Sequence, residues 1–315
     1  MNLAFYGCSK IGRKIVEALK NDERFVLFGC ASRDYSRCLE YKNELGFQKA
    51  YESYEDLLKD DNVDLVYVST YISNHFNDVK ACLEAKKNVI VEKSFTVNSK
   101  ESEELIKLSH KNNVFLAEAI WTRYMPSRIY INELINDGII GDIYLVSANL
   151  SYKIDNIERL IKKELGGGAL LDVGVYPINF ALMVLGDNYI DVKSTLFMNN
   201  GVDETDIIHL IYPNNVSAIL YSSMKGRSDR SGYIYGSKGY LYVDNINNPY
   251  QIIVYDNSGN LISTKKFVDQ INGYEYQFYE CYDAITNKKI ETKSMPHSDT
   301  QKVMDLISTI QKNTN

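Results

Sequence analysis

The chain has 315 residues and a formal net charge of -6, which is enough for two domains that each bury a core. The negative balance argues against a nucleic-acid partner or an anionic membrane surface. The five cysteines are dispersed and form no C-x-x-C pair, and no histidine lies at zinc-ligand spacing from them. We therefore expect free thiols and no metal. Without a charged leader or an apolar stretch of membrane-spanning length, the protein is predicted to be cytoplasmic.

The first predicted strand, residues 2–6, is followed by a glycine turn and then by a helix. Residues 7–12 have the sequence GCSKIG. Gly7 permits the turn, Gly12 permits close packing, and the helix N-terminus offers amides to a pyrophosphate, as in a dinucleotide-binding fingerprint. Ser9 replaces the middle glycine, so a plain strand-turn-helix connection is the alternative. The residues expected along the cofactor are Gly7, Ser9, Lys10 and Ile11.

The second predicted strand, residues 25–31, ends in Ser32, Arg33 and Asp34, about 20 residues beyond the glycine turn. An acid at this place binds the ribose diol of NAD, whereas an arginine accepts a 2′-phosphate. Ser32 and Arg33 therefore favour NADP, and Asp34 keeps NAD possible. The alternatives for Arg33 are a solvated charge or a residue that only stacks on adenine.

A buried strand predicted at residues 63–69 continues the alternation of strands and helices, which is typical of a parallel sheet. Thr70 and His75 follow it, at the sheet edge where such folds bind ligands. We predict that both residues lie beside the cofactor. For His75, a helix-capping or packing role is the alternative.

The apolar run of residues 89–91 predicts another strand buried on both faces, and it stops on Glu92 and Lys93. Because ligands bind outside the carboxyl ends of parallel strands, both residues are predicted to lie at the cofactor. Lys93 is also the first candidate for chemistry. Two charges that merely end a strand in solvent are the alternative.

We predict a first domain of residues 1–120 and a second of residues 121–315. Trp121 and Arg123 lie on the segment that connects them and are predicted to contact the substrate. A long strand, then seven strand-like segments between residues 190 and 267, predict a large, mainly antiparallel sheet in an α+β domain. Two helices, at about 274–286 and 298–311, end the chain.

Residues 166–177, GGGALLDVGVYP, form the second stretch with candidate chemistry. Asp172 and Tyr176 are four residues apart, so they share one face if the helix is regular there. Pro177 cannot donate a backbone hydrogen bond, which predicts a bend or a late helix start. The alternative is an acid that accepts a hydrogen bond from a structural tyrosine.

The ordered set of motifs resembles the glucose-fructose oxidoreductase and inositol dehydrogenase (Gfo/Idh/MocA) family along essentially the whole chain, with the dimeric dihydrodiol dehydrogenase branch most similar. The set comprises Gly7-x4-Gly12, Ser32-Arg33, Glu92-Lys93, Glu118-Ala119-x-Trp121-x-Arg123-x2-Pro126, Gly167-Gly168-Ala169-x2-Asp172-x-Gly174-x-Tyr176 and Met295-Pro296.

This resemblance implies a Rossmann domain that binds NAD(P) and a C-terminal α+β domain whose open sheet makes subunit contacts. The family's catalytic lysine falls on Lys93, and its acid and its histidine or tyrosine fall on Asp172 and Tyr176, which also contacts substrate. Ser94 stands where the family has proline. The implied reaction is NADP-dependent hydride transfer with a secondary alcohol or carbonyl of a sugar, polyol or cyclic diol.

Two other functions are compatible with the same family. One is a redox-assisted glycoside hydrolase that keeps its NAD bound, and the other is a non-catalytic dinucleotide sensor. The presence of Lys93, Asp172 and Tyr176 together argues against the sensor, which has no need of that polar trio.

Self-association is predicted from the C-terminal sheet. The segment 216–224 has apolar residues on both faces, as does the segment 207–211. A sheet covered on one side only would alternate apolar with polar residues. We therefore expect a homodimer or homotetramer in which a symmetric partner covers the second face.

Overall fold

The computed structural model describes residues 1–313, which form two compact units. The first unit contains Met1–Trp121 together with Gln270–Gln301, and the second contains Thr122–Asp269 and the chain from Lys302 onward. The sequence prediction assigned every residue after 120 to the second domain. The structure instead groups Gln270–Gln301 with the first unit.

The first unit is built on a six-stranded parallel sheet in the order β3-β2-β1-β4-β5-β6. The strand order reverses between β1 and β4, which is the point where doubly wound sheets bind nucleotides. The predicted alternation is confirmed, and the three-residue β3 was not predicted. The elements of the first unit up to residue 119 are β1 (Asn2–Tyr6), α1 (Lys10–Leu19), β2 (Val26–Ala31), α2 (Tyr35–Leu45), β3 (Lys49–Tyr51), α3 (Tyr54–Lys59), β4 (Leu65–Val68), α4 (Ile72–Glu84), β5 (Asn88–Glu92), α5 (Ser99–Asn112) and β6 (Leu116–Ala119).

The second unit contains an eight-stranded sheet in the order β14-β13-β12-β11-β7-β10-β9-β8. Neighbouring strands are antiparallel, apart from β7 and β10, which are parallel. The predicted, mainly antiparallel sheet is thus confirmed. The remaining elements of the chain are α6 (Pro126–Asn136), β7 (Ile143–Ser151), α7 (Val175–Leu185), β8 (Asp191–Asn199), β9 (Val202–Ile211), β10 (Ser217–Ser223), β11 (Gly232–Gly236), β12 (Gly239–Val243), β13 (Gln251–Asp256), β14 (Leu261–Lys266), α8 (Glu275–Thr286) and α9 (His297–Lys312).

The late helix α8 belongs to the first unit because its apolar side chains complete that unit's core. The ring of Phe278 lies 5.7 Å from that of Tyr67 in β4 and 6.1 Å from that of Phe25. Cys281, one turn further along, is also fully buried in this cluster. Burial of such large apolar surfaces is the main stabilising term in a fold, so α8 is part of this core.

The apolar helical segment Lys163–Leu185 is long and apolar enough to meet the length and composition of a membrane span. The expectation that no stretch approaches that length was therefore wrong. Within the protein, however, 83% of an 18-residue apolar stretch of this segment is buried, which is typical of a helix at the core of a folded domain.

Candidate active site

A pocket lies in the first unit at the reversal point of the parallel sheet, beyond the carboxyl ends of β1, β2 and β4. Lining it are residues of three connections that leave those strands. They include Gly7, Cys8 and Ser9 after β1, Ser32, Arg33 and Arg37 after β2, and Ser69, Thr70 and Tyr71 after β4. Five of the predicted cofactor residues are thereby placed around one pocket.

At the first position of the turn after β1, only glycine fits without strain. Gly7 has a φ of +112°, and a Cβ added there would lie 3.2 Å from the carbonyl carbon of Ser69. Ser9, which stands where the fingerprint has glycine, caps α1: its Oγ accepts a hydrogen bond from the amide of Gly12 at 3.2 Å. The same hydroxyl donates to Ser69 Oγ at 2.9 Å, which fixes the turn against the end of β4.

Gly12 allows α1 to approach the sheet closely, as the sequence predicted. A Cβ at this position would collide with the hydroxyl of Tyr41 and lie 3.0 Å from the ring of Phe5. Tyr41 is itself held, because its hydroxyl donates to the carbonyl of Ser9 at 3.1 Å. The close packing therefore depends on the missing side chain.

We expect Gly12→Ala to destabilise the protein by about 1–3 kcal/mol, because an extra methyl in a packed interior forces its neighbours apart. A lower midpoint in thermal unfolding followed by circular dichroism would show this. Gly226→Ala is the matched control, since an added Cβ there meets nothing within 4 Å. Equal midpoints for the wild type and Gly12→Ala would contradict the prediction.

The connection after β2 supplies two arginines to the pocket rather than the single one expected. Asp34 caps α2, because its side chain accepts from the amide of Arg37 at 3.1 Å. The guanidinium of Arg37 donates to the carbonyl of Cys8 at 2.7 Å, and that of Arg33 lies 5.9 Å from the ring centroid of Tyr71. Sequence reasoning missed Arg37, which lies in the first turn of α2 rather than at the end of the strand.

Thr70 and His75 both lie near the end of β4, but the structure gives them different surroundings. Thr70 lines the pocket and donates to a carboxylate oxygen of Asp78 at 2.6 Å. His75 is buried in α4, with Nδ1 2.9 Å from the carbonyl oxygen of Ser94 and Nε2 3.2 Å from that of Thr70. Burial lowers the pKa of His75 to about 4, although both carbonyls favour the protonated ring. These contacts favour the packing role for His75.

The end of β5 positions Glu92 and Lys93 as the alternation of strands predicted. Glu92 is the last residue of β5, and its Oε1 accepts from the hydroxyl of Tyr67 at 2.6 Å. Lys93 follows and is half-buried. The peptide bond between Lys93 and Ser94 is cis.

In the second unit, Asp172 and Tyr176 lie on either side of a change in helix type. Leu170–Gly174 is a π-helical turn, and α7 begins only at Val175, so the late helix start predicted from Pro177 is confirmed. The condition of a regular helix is not met at Asp172, and the four-residue spacing alone therefore does not place the two side chains on one face. Such π turns are frequent at functional sites.

Both predicted residues of this segment are buried, and Asp172 has a cationic partner. Arg159 Nη1 donates to Asp172 Oδ1 at 3.0 Å. The start of the turn is also held, because the amide of Leu170 donates to Asp203 Oδ2 at 2.5 Å. Neither Arg159 nor Asp203 was predicted, since both come from segments distant in sequence.

Trp121 and Arg123, the two substrate residues predicted on the connecting segment, fall in different units. Trp121 ends the first unit and is buried, with its ring stacked on Tyr274 at a centroid distance of 4.2 Å. Arg123 is buried within the second unit. Their contact with substrate remains a prediction.

Known families match both halves of the chain. A model described as "Oxidoreductase family, NAD-binding Rossmann fold" matches residues 1–119, and one described as "GFO/IDH/MocA C-terminal domain" matches residues 129–242. A trans-1,2-dihydrobenzene-1,2-diol dehydrogenase from Mus musculus is 31% identical over 266 residues, which cover 84% of this chain and 78% of the mouse protein. A protein of the same name from Xenopus laevis is 38% identical over 215 residues, covering 68% of this chain and 65% of its own length.

Solved structures agree on the fold. A 3-ketoreductase from Actinomadura kijaniata, in complex with NADP and TDP-benzene, has a TM-score of 0.90 at 22% identity and covers 100% of this chain and 98% of its own. A levoglucosan dehydrogenase in complex with NADH and levoglucosan has a TM-score of 0.88 at 16% identity, covering 99% and 96% of the two chains. The two family matches and the mouse relative show that the chain belongs to the Gfo/Idh/MocA family of NAD(P)-dependent oxidoreductases.

Proposed function

We propose that this enzyme interconverts a secondary alcohol and a carbonyl on a sugar, polyol or related cyclic diol, with NADP as the preferred cofactor. The observation that supports the cofactor is the pair Arg33 and Arg37 at the rim of the nucleotide pocket. The names of similar proteins support the substrate class. The relatives in sequence are named dihydrodiol dehydrogenases, and the similar solved structures include a ketoreductase and a levoglucosan dehydrogenase.

The pocket residues fit a dinucleotide. The glycine turn leaves space that a Cβ at Gly7 would fill, and Ser9, the N-cap of α1, lines the pocket, so that a pyrophosphate there would meet the N-terminus of a helix. Arg33 and Arg37 are both exposed and offer charged donors to a 2′-phosphate. When bound, the nicotinamide nucleotide supplies or accepts the hydride.

We further propose that Lys93, Asp172 and Tyr176 handle the proton that accompanies hydride transfer. Reduction of a carbonyl develops negative charge on oxygen, so a donor and a stabilising cation are required. In this proposal Tyr176 donates the proton and Lys93 hydrogen-bonds the reacting oxygen. When the enzyme oxidises an alcohol, the positive charge of Lys93 favours the phenolate form of Tyr176. Asp172, held by Arg159, orients the pair. Lys93 as the donor is the alternative assignment.

The experiment that tests the function is a screen for NADPH oxidation and NADP reduction against sugars, inositols, cyclic diols and dicarbonyls. We expect stoichiometric change in NADPH with at least one member of these classes. Release of free sugar from a glycoside without net NADPH consumption would instead identify a redox-assisted hydrolase. Tight NADP binding with neither activity across the whole panel would point to the sensor.

We also propose that the open face of the second sheet is a subunit interface. Only one face of this sheet is buried within the chain. Along β10, Ala218 and Leu220 on that face are fully buried, whereas the apolar side chains of Ile219 and Tyr221 on the other face are 46% and 42% exposed. Tyr221 pairs with Ile207 on β9, which is 47% exposed, so the apolar positions continue across the sheet. Monomeric proteins rarely leave such a continuous apolar face in water.

The interface proposal predicts the mass of the protein in solution. We expect light scattering at micromolar concentration to give two or four times the 36.1 kDa chain mass, and the combined variant Ile207→Lys and Ile219→Lys to give the monomer. Ile129→Lys is the control, since Ile129 is 51% exposed but lies on α6. A monomeric wild type, or an oligomer that persists in the double variant, would contradict the interface.

A cytoplasmic location remains part of the proposal. All five cysteines are free, and a reducing compartment keeps thiols in that state. Localisation of a tagged full-length chain would test it.

A further inference from the structure

Three of the five cysteines come together beneath the nucleotide pocket, although they lie on three different elements of the chain. Cys8 lies in the glycine turn, Cys30 in β2 and Cys38 in α2. Their sulfur atoms all lie within 4.8 Å of one another, and those of Cys30 and Cys38 are 3.5 Å apart. All three side chains are buried.

We propose that this triad, Cys8, Cys30 and Cys38, is a binding site for a monovalent, thiol-seeking metal ion, Cu(I). Three sulfurs around one ion at the usual metal–sulfur distance stand about 4 Å apart, close to the spacing seen here. The group offers thiols alone, which are the soft ligands that Cu(I) prefers. A structural zinc ion takes four ligands, and this group supplies three.

The surroundings of the triad provide an entry path and a compensating charge. Cys8 is the member of the triad that lines the nucleotide pocket, so an ion would enter past Cys8 when that pocket is free of nucleotide. The guanidinium of Arg37, bonded to the Cys8 carbonyl at 2.7 Å, lies beside the negative charge that thiolates would bring. Binding forms copper–sulfur bonds and releases the displaced thiol protons to solvent, with no electron transferred.

The competing explanation is that these thiols act as small apolar side chains, as buried cysteines often do. Cys82 and Cys281 illustrate that role, because each is fully buried outside the triad. They are the matched controls for a test: their removal leaves the three sulfurs untouched. If burial alone mattered, variants of all five positions would behave alike.

The experiment titrates the full-length, nucleotide-free protein with Cu(I) under anaerobic conditions, in competition with the chromophoric chelator bicinchoninate. We expect the wild type to withdraw one equivalent of Cu(I). Cys30→Ala and Cys38→Ala should each weaken binding by more than the roughly 10- to 100-fold typical of losing a metal's outer partners. Cys82→Ala and Cys281→Ala should bind as the wild type does.

Two further measurements keep the test decisive if one variant fails to fold. X-ray absorption of the Cu(I)-loaded wild type should show sulfur ligands alone, and saturation with NADP beforehand should slow copper uptake. The inference is overturned if the wild type does not compete with the chelator, or if Cys30→Ala and Cys38→Ala retain full affinity. It is equally overturned if Zn²⁺ binds more tightly with the same cysteine dependence, or if two thiols are lost to a disulfide instead.

Discussion

Lys93→Met and Tyr176→Phe are each expected to lower kcat by about 10²-fold or more, the usual contribution of a positioned proton carrier. Tyr176→Phe removes the proposed donor while keeping the ring, and Lys93→Met removes the cation while keeping an apolar stem. Because Tyr176 is not among the residues that line the nucleotide pocket, the Kd for NADP should stay nearly constant in Tyr176→Phe. Steady-state kinetics with a substrate from the screen, together with NADP titration, measure both quantities.

Another buried tyrosine and a buried lysine serve as controls for a general loss of stability. Tyr212 is buried in the second unit and donates to the carbonyl of Gly186 at 2.9 Å, and Lys87 is buried in the first unit with its amine on the carbonyl of Asp60 at 2.7 Å. Tyr212→Phe and Lys87→Met should lower stability rather than kcat. Near-native kcat in both Lys93→Met and Tyr176→Phe would show that the chemistry lies elsewhere.

Arg33→Ala and Arg37→Ala are each expected to weaken NADP binding about ten- to a hundredfold and to leave NAD binding unchanged. A charge-assisted hydrogen bond to a 2′-phosphate is worth roughly that factor, and NAD has no such phosphate. Both arginines are exposed, so added salt should shrink the preference for NADP by screening. Fluorescence titration with NADPH and NADH at two ionic strengths measures the effect.

Arg13→Ala provides the control for loss of a surface arginine. Arg13 is exposed on α1 and is paired with Glu44 at 2.7 Å, rather than lining the nucleotide pocket. Its removal should change neither affinity. If Arg33→Ala and Arg37→Ala weaken NADPH and NADH equally, these side chains contact a part of the cofactor common to both. A wild type that prefers NADH would likewise contradict the proposal.

Local patterns in the sequence predicted the first unit well, because its signals lie within short stretches. Gly7 and Gly12 flank a turn between a strand and a helix, and Lys93 follows a strand whose apolar run marks it as buried. Both follow from residues that are neighbours in the chain. The sheet order around them then follows from the rules for parallel strands.

Other features of the candidate site depend on contacts that a linear pattern does not contain. Arg159 holds Asp172 from 13 residues away, and Asp203 holds the amide of Leu170 from 33 residues away. The π turn also escaped prediction, because hydrophobic spacing is too coarse to register one added residue in a helix. The placement of α8 in the first unit depends on Phe278 packing over Tyr67, a tertiary contact with no local signal.

The return of the chain to the first unit constrains the order in which the protein can be completed on the ribosome. Phe25 and Tyr67 emerge early, yet Phe278, which covers them, is synthesised only after the whole second sheet. The nascent Rossmann half therefore exposes part of its apolar core until α8 has been synthesised. For the same reason, a fragment that stops at residue 120 would lack that cover, and an excised nucleotide-binding module would need residues 270–301 grafted onto its end.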